Sequence, residues 1–371
     1  MPGARRSAGS VFGRLPSGAR LERILGSARF RDGAFRNTKD VAPGLKPGKG
    51  FSTMAELVLG KQQRIPGGPL PSVSPLGAWA RPAETGLRAT WLGHSTVLVE
   101  IDGFRVLTDP VWGERASPLR RLGPKRFQPV PVSLPQLPPL DAVVVSHDHY
   151  DHLDWPTILE LAKRDVPFIT SLGVGAHLEA WGVPSARITE LDWWEEVVVN
   201  GDLRVAAAPS QHFSGRQRPG GNRTLWSSIV LRGPRHAVFF SGDTGLTDEY
   251  ADIRAKLGPF DLVMLEVGAW HPAWGDIHLG PENALAALKL LGGGAFLPVH
   301  WGTFNLALHA WDEPAETLYS HAGESGLQLV MPRLGAAFEP SRAEKVEPWW
   351  RVTGTVEVPA ELPAGGTLPA D

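Results

Sequence analysis

The stretch DAVVVSHDHYDHLDW (141–155) runs from an apolar segment straight into three histidines and three aspartates within the ten positions SHDHYDHLDW. A short apolar run bounded by turn signals reads as a buried strand. Titratable groups crowded at the end of such a strand lose hydration, and they need partners that offset the loss. Residues two apart in an extended segment point the same way. His147 and His149 can therefore face one point, and Asp151 and His152 follow about a turn later. A solvated, helix-capping loop, with Asp154 as the cap, has little use for that density. A metal ion does, because neutral imidazole and carboxylate are its ligands. The fold must then bring further donors to this strand end.

Three other strand ends offer them. His212 follows LRVAAAPS, Asp243 lies in FFSGDTG, and His300 closes AFLPVHWG. Each has the same context of apolar strand, ligand type and loop. The chain has no cysteine, so thiolate sites and disulfides are excluded. Any ion rests on nitrogen and oxygen donors, which suits zinc, iron or manganese.

The rest of the chain frames this site. Residues 1–80 are basic and rich in Gly and Pro, and we read them as an N-terminal extension. Within them 19–30 and 51–60 are expected helices, the second capped by Ser52 or Thr53. A strand-rich domain is expected over 81–345, with helices near 156–164, 173–181, 248–258 and 281–292, and a C-terminal tail over 346–371. Strands in runs, with helices between and after them, suit an α+β arrangement of two sheets with helices outside. Residues 1–50 carry eleven Lys and Arg against three acids, leaving the remainder at −10 in a chain of formal charge −2. Such an arm suits phosphates or an anionic membrane surface, or is simply solvated. It lacks the interleaved aromatics of a nucleic-acid platform, so nucleic acid is not the expected partner. No run approaches a membrane span and no signal peptide is evident. The expected location is cytoplasmic, with peripheral membrane contact, and no oligomeric state is indicated.

The ordered set H-x-H-x-D-H, His212, Asp243 in GDTG and His300 resembles the metallo-β-lactamase-fold hydrolases. The resemblance spans roughly 87–340 and implies a four-layer αββα sandwich around two divalent metals, most readily zinc. By that resemblance His147, His149 and His212 hold one metal. Asp151, His152 and His300 hold the other, and Asp243 bridges. TWLGHSTVLVE (90–100), LTDP (107–110), RASP (115–118), GPKRF (123–127), GPFDL (258–262) and HWGTF (300–304) are similar to the N-acyl-phosphatidylethanolamine phospholipase D group. That similarity implies a phosphodiesterase acting through a metal-bridging hydroxide on an N-acyl phospholipid. A lactonase or phosphosugar hydrolase of the ascorbate-6-phosphate lactonase type is the competing reading.

Further roles attach to single residues. Asp151 is expected to hold the hydroxide in line as well as bind metal. The resemblance assigns His278, in GDIHLGPEN, to substrate contact or proton donation. Asp109 in LTDP is placed behind the ligands to orient them, and His94 in LGHS either does the same or packs. Lys125 and Arg126, in a loop with Arg115, Arg120 and Arg121, are candidates for a lipid phosphate. Trp270 and Trp274 either line an acyl groove or join the core. His177, His236, His309 and His321 have no such setting, and His271 is left open.

Overall fold

The structure, a computed structural model, describes residues 10–41, 43–119, 121–216 and 221–353. Arg120 and the end of the expected tail lie outside the described residues.

The arm holds α1 (Ala19–Leu25), the short hairpin β1 (Phe30–Arg31) and β2 (Ala34–Phe35), α2 (Gly50–Leu59) and α3 (Leu76–Trp79). No side chain caps α2. Instead the Ser52 and Thr53 hydroxyls donate back to the Lys49 carbonyl, which corrects the expected cap.

The first large sheet contains β3 (Leu87–Gly93), β4 (Thr96–Ile101), β5 (Phe104–Thr108), β6 (Ala142–Val145), β7 (Phe168–Ser171) and β8 (Ile188–Leu191), in that spatial order. The second contains β9 (Glu196–Val199), β10 (Leu203–Ala208), β11 (Ser228–Arg232), β12 (Ala237–Phe240), β13 (Leu262–Glu266), β14 (Ala295–Val299) and β15 (Gln328–Leu329), again in spatial order. β16 (Ala337–Phe338) closes the first sheet beside β3. Hairpins make the antiparallel part of each sheet. β5 through β8 and β12 through β15 run parallel.

Alternation along the strands explains the layering. Val143 and Val145 of β6 pack with Leu98 and Leu107 against α4 (Trp155–Leu161) and α5 (Gly175–Ala180). Ala142 and Val144 face the other way, toward the second sheet. On its far side that sheet carries α6 (Glu249–Leu257), α7 (Gly280–Leu291) and α8 (Glu313–Ser320), whose Tyr250, Ala284 and Leu318 join the same core. Each fully buried Val, Leu or Ile contributes about 1.5–3 kcal/mol relative to exposure. The result is the αββα sandwich. No helix among the described residues is long and apolar enough to cross a membrane.

Both flanks pack on the sandwich. Trp349 and Trp350 are buried beside the stacked pair Trp91 and Trp301, so the core extends past the boundary expected at 345. The arm is strapped across one end of the sheets. Asn37 donates to the His212 carbonyl at 2.8 Å and accepts from the His212 N–H at 3.0 Å. Glu56 of α2 meets His271 at 2.9 Å, and the Gln63 carbonyl accepts from the Trp311 N–H.

Candidate metal centre

The expected donors stand at strand ends on one edge of the sandwich. SHDHYDH leaves β6, His212 follows β10, Asp243 follows β12, and His300 follows β14. Open α/β sheets bind ligands at the carboxyl ends of their parallel strands. The backbone there is bent hard. His94, Asp109 and His300 all have positive φ (52°, 32° and 65°), a conformation costly for residues with a Cβ and one that gathers at functional sites. Gly242, at φ 55°, lets the turn before Asp243 press on Ser146, because a Cβ there would sit 2.7 Å from that of Ser146.

Two clusters result. His147, His149, His212 and Asp243 present ligand atoms within 4.8 Å of one another, and so do His94, Asp151, His152 and His300. Asp243 touches both. Its Oδ2 lies 3.7 Å from His147 Nε2, 3.7 Å from His212 Nε2 and 3.1 Å from His152 Nε2, while Oδ1 lies 3.2 Å from His300 Nε2. The structure thus brings all seven expected ligands together.

The residues behind them fix ring orientation. Asp109 Oδ2 accepts from His152 Nδ1 at 2.7 Å and from the Ser146 hydroxyl at 2.6 Å, and Oδ1 accepts from the Ser146 N–H. His147 Nδ1 meets the Ser146 hydroxyl at 2.9 Å, and His212 Nδ1 donates to the Ile277 carbonyl. With Nδ1 engaged, the Nε2 lone pairs turn inward, the arrangement that orients metal-binding histidines. His94 Nε2 lies 2.9 Å from Asp151 Oδ2, closer to the cluster than a purely supporting role requires.

The electrostatics fit a cation. Burial, reinforced for His147 by His152 and His149, holds the His147 and His212 rings well below the usual imidazole range, hence neutral with free lone pairs. Burial opposes ionisation of Asp151 and Asp243, but surrounding histidines outweigh it and hold both carboxyls far below the carboxylate range. Burial likewise opposes protonation of His300, yet Asp243 and Asp151 push it up to about 10. His152 Nε2, His300 Nε2 and Asp243 Oδ1 are buried with no hydrogen-bond partner. Buried polar atoms without partners are rare, and a cation among these rings and carboxylates would satisfy them. The donor set suits divalent metals.

His278 sits at the rim, its ring 5.0 Å from His212 and 5.5 Å from His300. Its Nδ1 donates to Glu266 Oε1 at 3.1 Å, and the same oxygen accepts from the Leu279 N–H at 2.9 Å. Burial pushes the imidazole pKa down, but Glu266 more than reverses this, so His278 is raised. Sequence reasoning missed Glu266. Its signal was an acid closing the otherwise apolar strand LVMLE (262–266). Beside His278 lies an apolar cavity of about 240 Å³, walled by 43–45 of the arm together with Phe213, Trp274 and Ile277.

The structure also places the remaining residues that the sequence singled out. Arg126 is no open phosphate ligand. It is buried, donates to the Gly113 and Val111 carbonyls, and lies over the Phe304 ring, which anchors its loop. Lys125 pairs with Glu114 at 3.0 Å on the exposed surface. Trp274 lines the cavity, whereas Trp270 stacks on His309 and packs against Gly280. His271 fastens the arm through Glu56, and His177 accepts from the Arg14 N–H. Asp154 caps α4 through the Thr157 N–H, and Asp148 turns away to the Gly215 and Arg216 amides.

A family model described as a beta-lactamase superfamily domain matches residues 104–301. An uncharacterized protein of Mycobacterium tuberculosis is 45% identical over 338 residues, 88% of either chain. The N-acyl-phosphatidylethanolamine-hydrolyzing phospholipase D 1 of Caenorhabditis elegans is 40% identical over 233 residues, 60% of this chain and 65% of that one. Among solved structures, an isothiocyanate hydrolase from Delia radicum gut bacteria superposes with a TM-score of 0.56 at 22% identity, over 68% of this chain and 98% of that one. This last likeness is one of fold.

Proposed function

Because the chain belongs to the metallo-β-lactamase superfamily of metal-dependent hydrolases, we propose that it cleaves phosphodiesters, and among them those of N-acyl phospholipids. The observation that carries this reading is the pair of donor clusters joined by Asp243, with His278 and an apolar cavity at their rim. Partial identity to a phospholipase of that substrate class supports it.

His147, His149, His212 and Asp243 would hold one divalent metal, and Asp151, His152, His300 and Asp243 a second; when bound, these would supply Lewis-acid activation of phosphoryl oxygen and an acidified water. The chain's own groups do the rest. Asp151, steadied by His94, faces the reaction space as a hydrogen-bond acceptor that aligns the attacking water. As the new P–O bond forms, the bond to the alcohol oxygen breaks. His278, its Nδ1 tethered to Glu266, gives the Nε2 proton to that departing oxygen. The apolar cavity receives part of the leaving alcohol. At about 240 Å³ it exceeds the roughly 150 Å³ that holds a benzene, so it takes a segment of an acyl chain rather than a whole one.

The test is a substrate panel: N-acyl-phosphatidylethanolamine in mixed micelles, soluble bis(p-nitrophenyl) phosphate, and a soluble sugar lactone. The expected result is turnover of both diesters. Turnover of the lactone alone would overturn the reading in favour of the lactonase type.

A further inference from the structure

Nine of the fifteen exposed large hydrophobic residues among the described residues lie in 10–65, within the basic arm. The densest group is on and just after α2. Met54 is 60% exposed and Leu57 50%, three apart and so on one helix face, followed by Leu59 at 76% and Ile65 at 58%. Soluble surfaces carry single exposed apolar residues without consequence, but a cluster marks an interaction site. Residues 43–65 hold four cations, Lys46, Lys49, Lys61 and Arg64, and one acid. That acid, Glu56, turns inward onto His271, away from the exposed apolar side.

The same segment borders the candidate centre. Residues 43–45 wall the cavity beside His278, Leu45 forms a β-bridge with Trp274, and Arg64 lines the recess that holds His300. We propose that α2 and its flanks dock onto an anionic lipid surface and thereby set the mouth of the site at the membrane. This rests on the lipid-phosphodiester reading of that site. Charge complementarity selects this occupant. The arm is cationic while the rest of the chain is strongly acidic, and although Lys46 pairs with Asp276 of the sandwich, Lys49, Lys61 and Arg64 leave the flanks of α2 net positive, so an anionic surface is drawn to this side. A second copy fits worse, because a two-fold interface sets the same patch against itself and opposes like charges. An amphipathic helix with Lys on its flanks lies in the interface plane with its apolar face in the headgroup boundary.

The test is co-sedimentation of the full chain with vesicles of equimolar phosphatidylcholine and phosphatidylglycerol, beside pure phosphatidylcholine. Wild-type protein is expected to sediment with the anionic vesicles only, and less so at high salt. Met54→Asp/Leu57→Asp and, separately, Lys49→Glu/Lys61→Glu are each expected to weaken binding at least about tenfold. Both keep wild-type turnover of soluble bis(p-nitrophenyl) phosphate, which shows that the fold and the site are intact. Failure of that turnover in the wild type would instead strike the phosphodiesterase reading. Absence of wild-type sedimentation, or equal sedimentation by the variants, would overturn the docking proposal. So would a wild-type dimer in solution that Met54→Asp/Leu57→Asp converts to monomer.

Discussion

Replacing Asp243 with alanine is expected to lower kcat/KM for a soluble phosphodiester by roughly 10³-fold or more, about 4 kcal/mol of transition-state stabilisation. Asp243 is shared by the two clusters: it is a member of one, and its Oδ1 lies 3.2 Å from His300 Nε2 of the other. Its two oxygens contact His152 and His300, and the same group faces His147 and His212. Its loss removes a ligand from each cluster and leaves the two sets of rings without the anion that spaces them. Asp243→Asn keeps the shape but not the charge, and is expected to fall nearly as far. Steady-state kinetics, with circular dichroism to establish folding, read the result. Retention of most wild-type turnover by a folded Asp243→Ala protein would place the chemistry elsewhere.

His278→Ala is expected to cost about 10²–10⁴ in kcat on a diester with a poor leaving group, the usual contribution of a positioned acid. The loss should be far smaller with p-nitrophenolate, which departs without a proton. A residue that merely filled space would cost the same on both. The pH profile adds a second readout. As an acid, His278 acts while protonated, so activity persists below its pKa and falls as pH rises through it. Burial alone depresses that pKa, and Glu266 raises it above the ordinary value. Glu266→Gln removes the raising partner, so the alkaline limb should move to lower pH. An unmoved limb, together with equal losses on the two leaving groups, would demote His278 to a structural residue.

Much of the centre was legible because its signal is local and dense. H-x-H-x-D-H packs four donors into six positions after a strand, and His212, Asp243 and His300 repeat the rule of apolar strand then ligand. The layered fold followed from the same strands, whose alternation survives in the faces of β6. What stayed hidden depends on contacts distant in sequence. Glu266 gains meaning only from its bond to His278, and Arg126 loses its phosphate role only because Phe304 and two carbonyls enclose it. The arm shows little periodicity, so nothing in it foretold that Asn37 would grip His212 from 175 positions away. α8 and the two-residue strands β15 and β16 went unread. Two residues are too few to show alternation. Trp349 and Trp350 read as tail because their partners, Trp91 and Trp301, lie far away along the chain.

The central claim is a two-metal centre, and elemental analysis of the purified full chain addresses it most directly. Two donor clusters predict two equivalents of a divalent transition metal per chain. His149→Ala and His300→Ala, each removing a donor from a different cluster, should each fall to about one. A wild-type protein that retains no metal above the buffer, or a stoichiometry that neither substitution changes, would contradict the account.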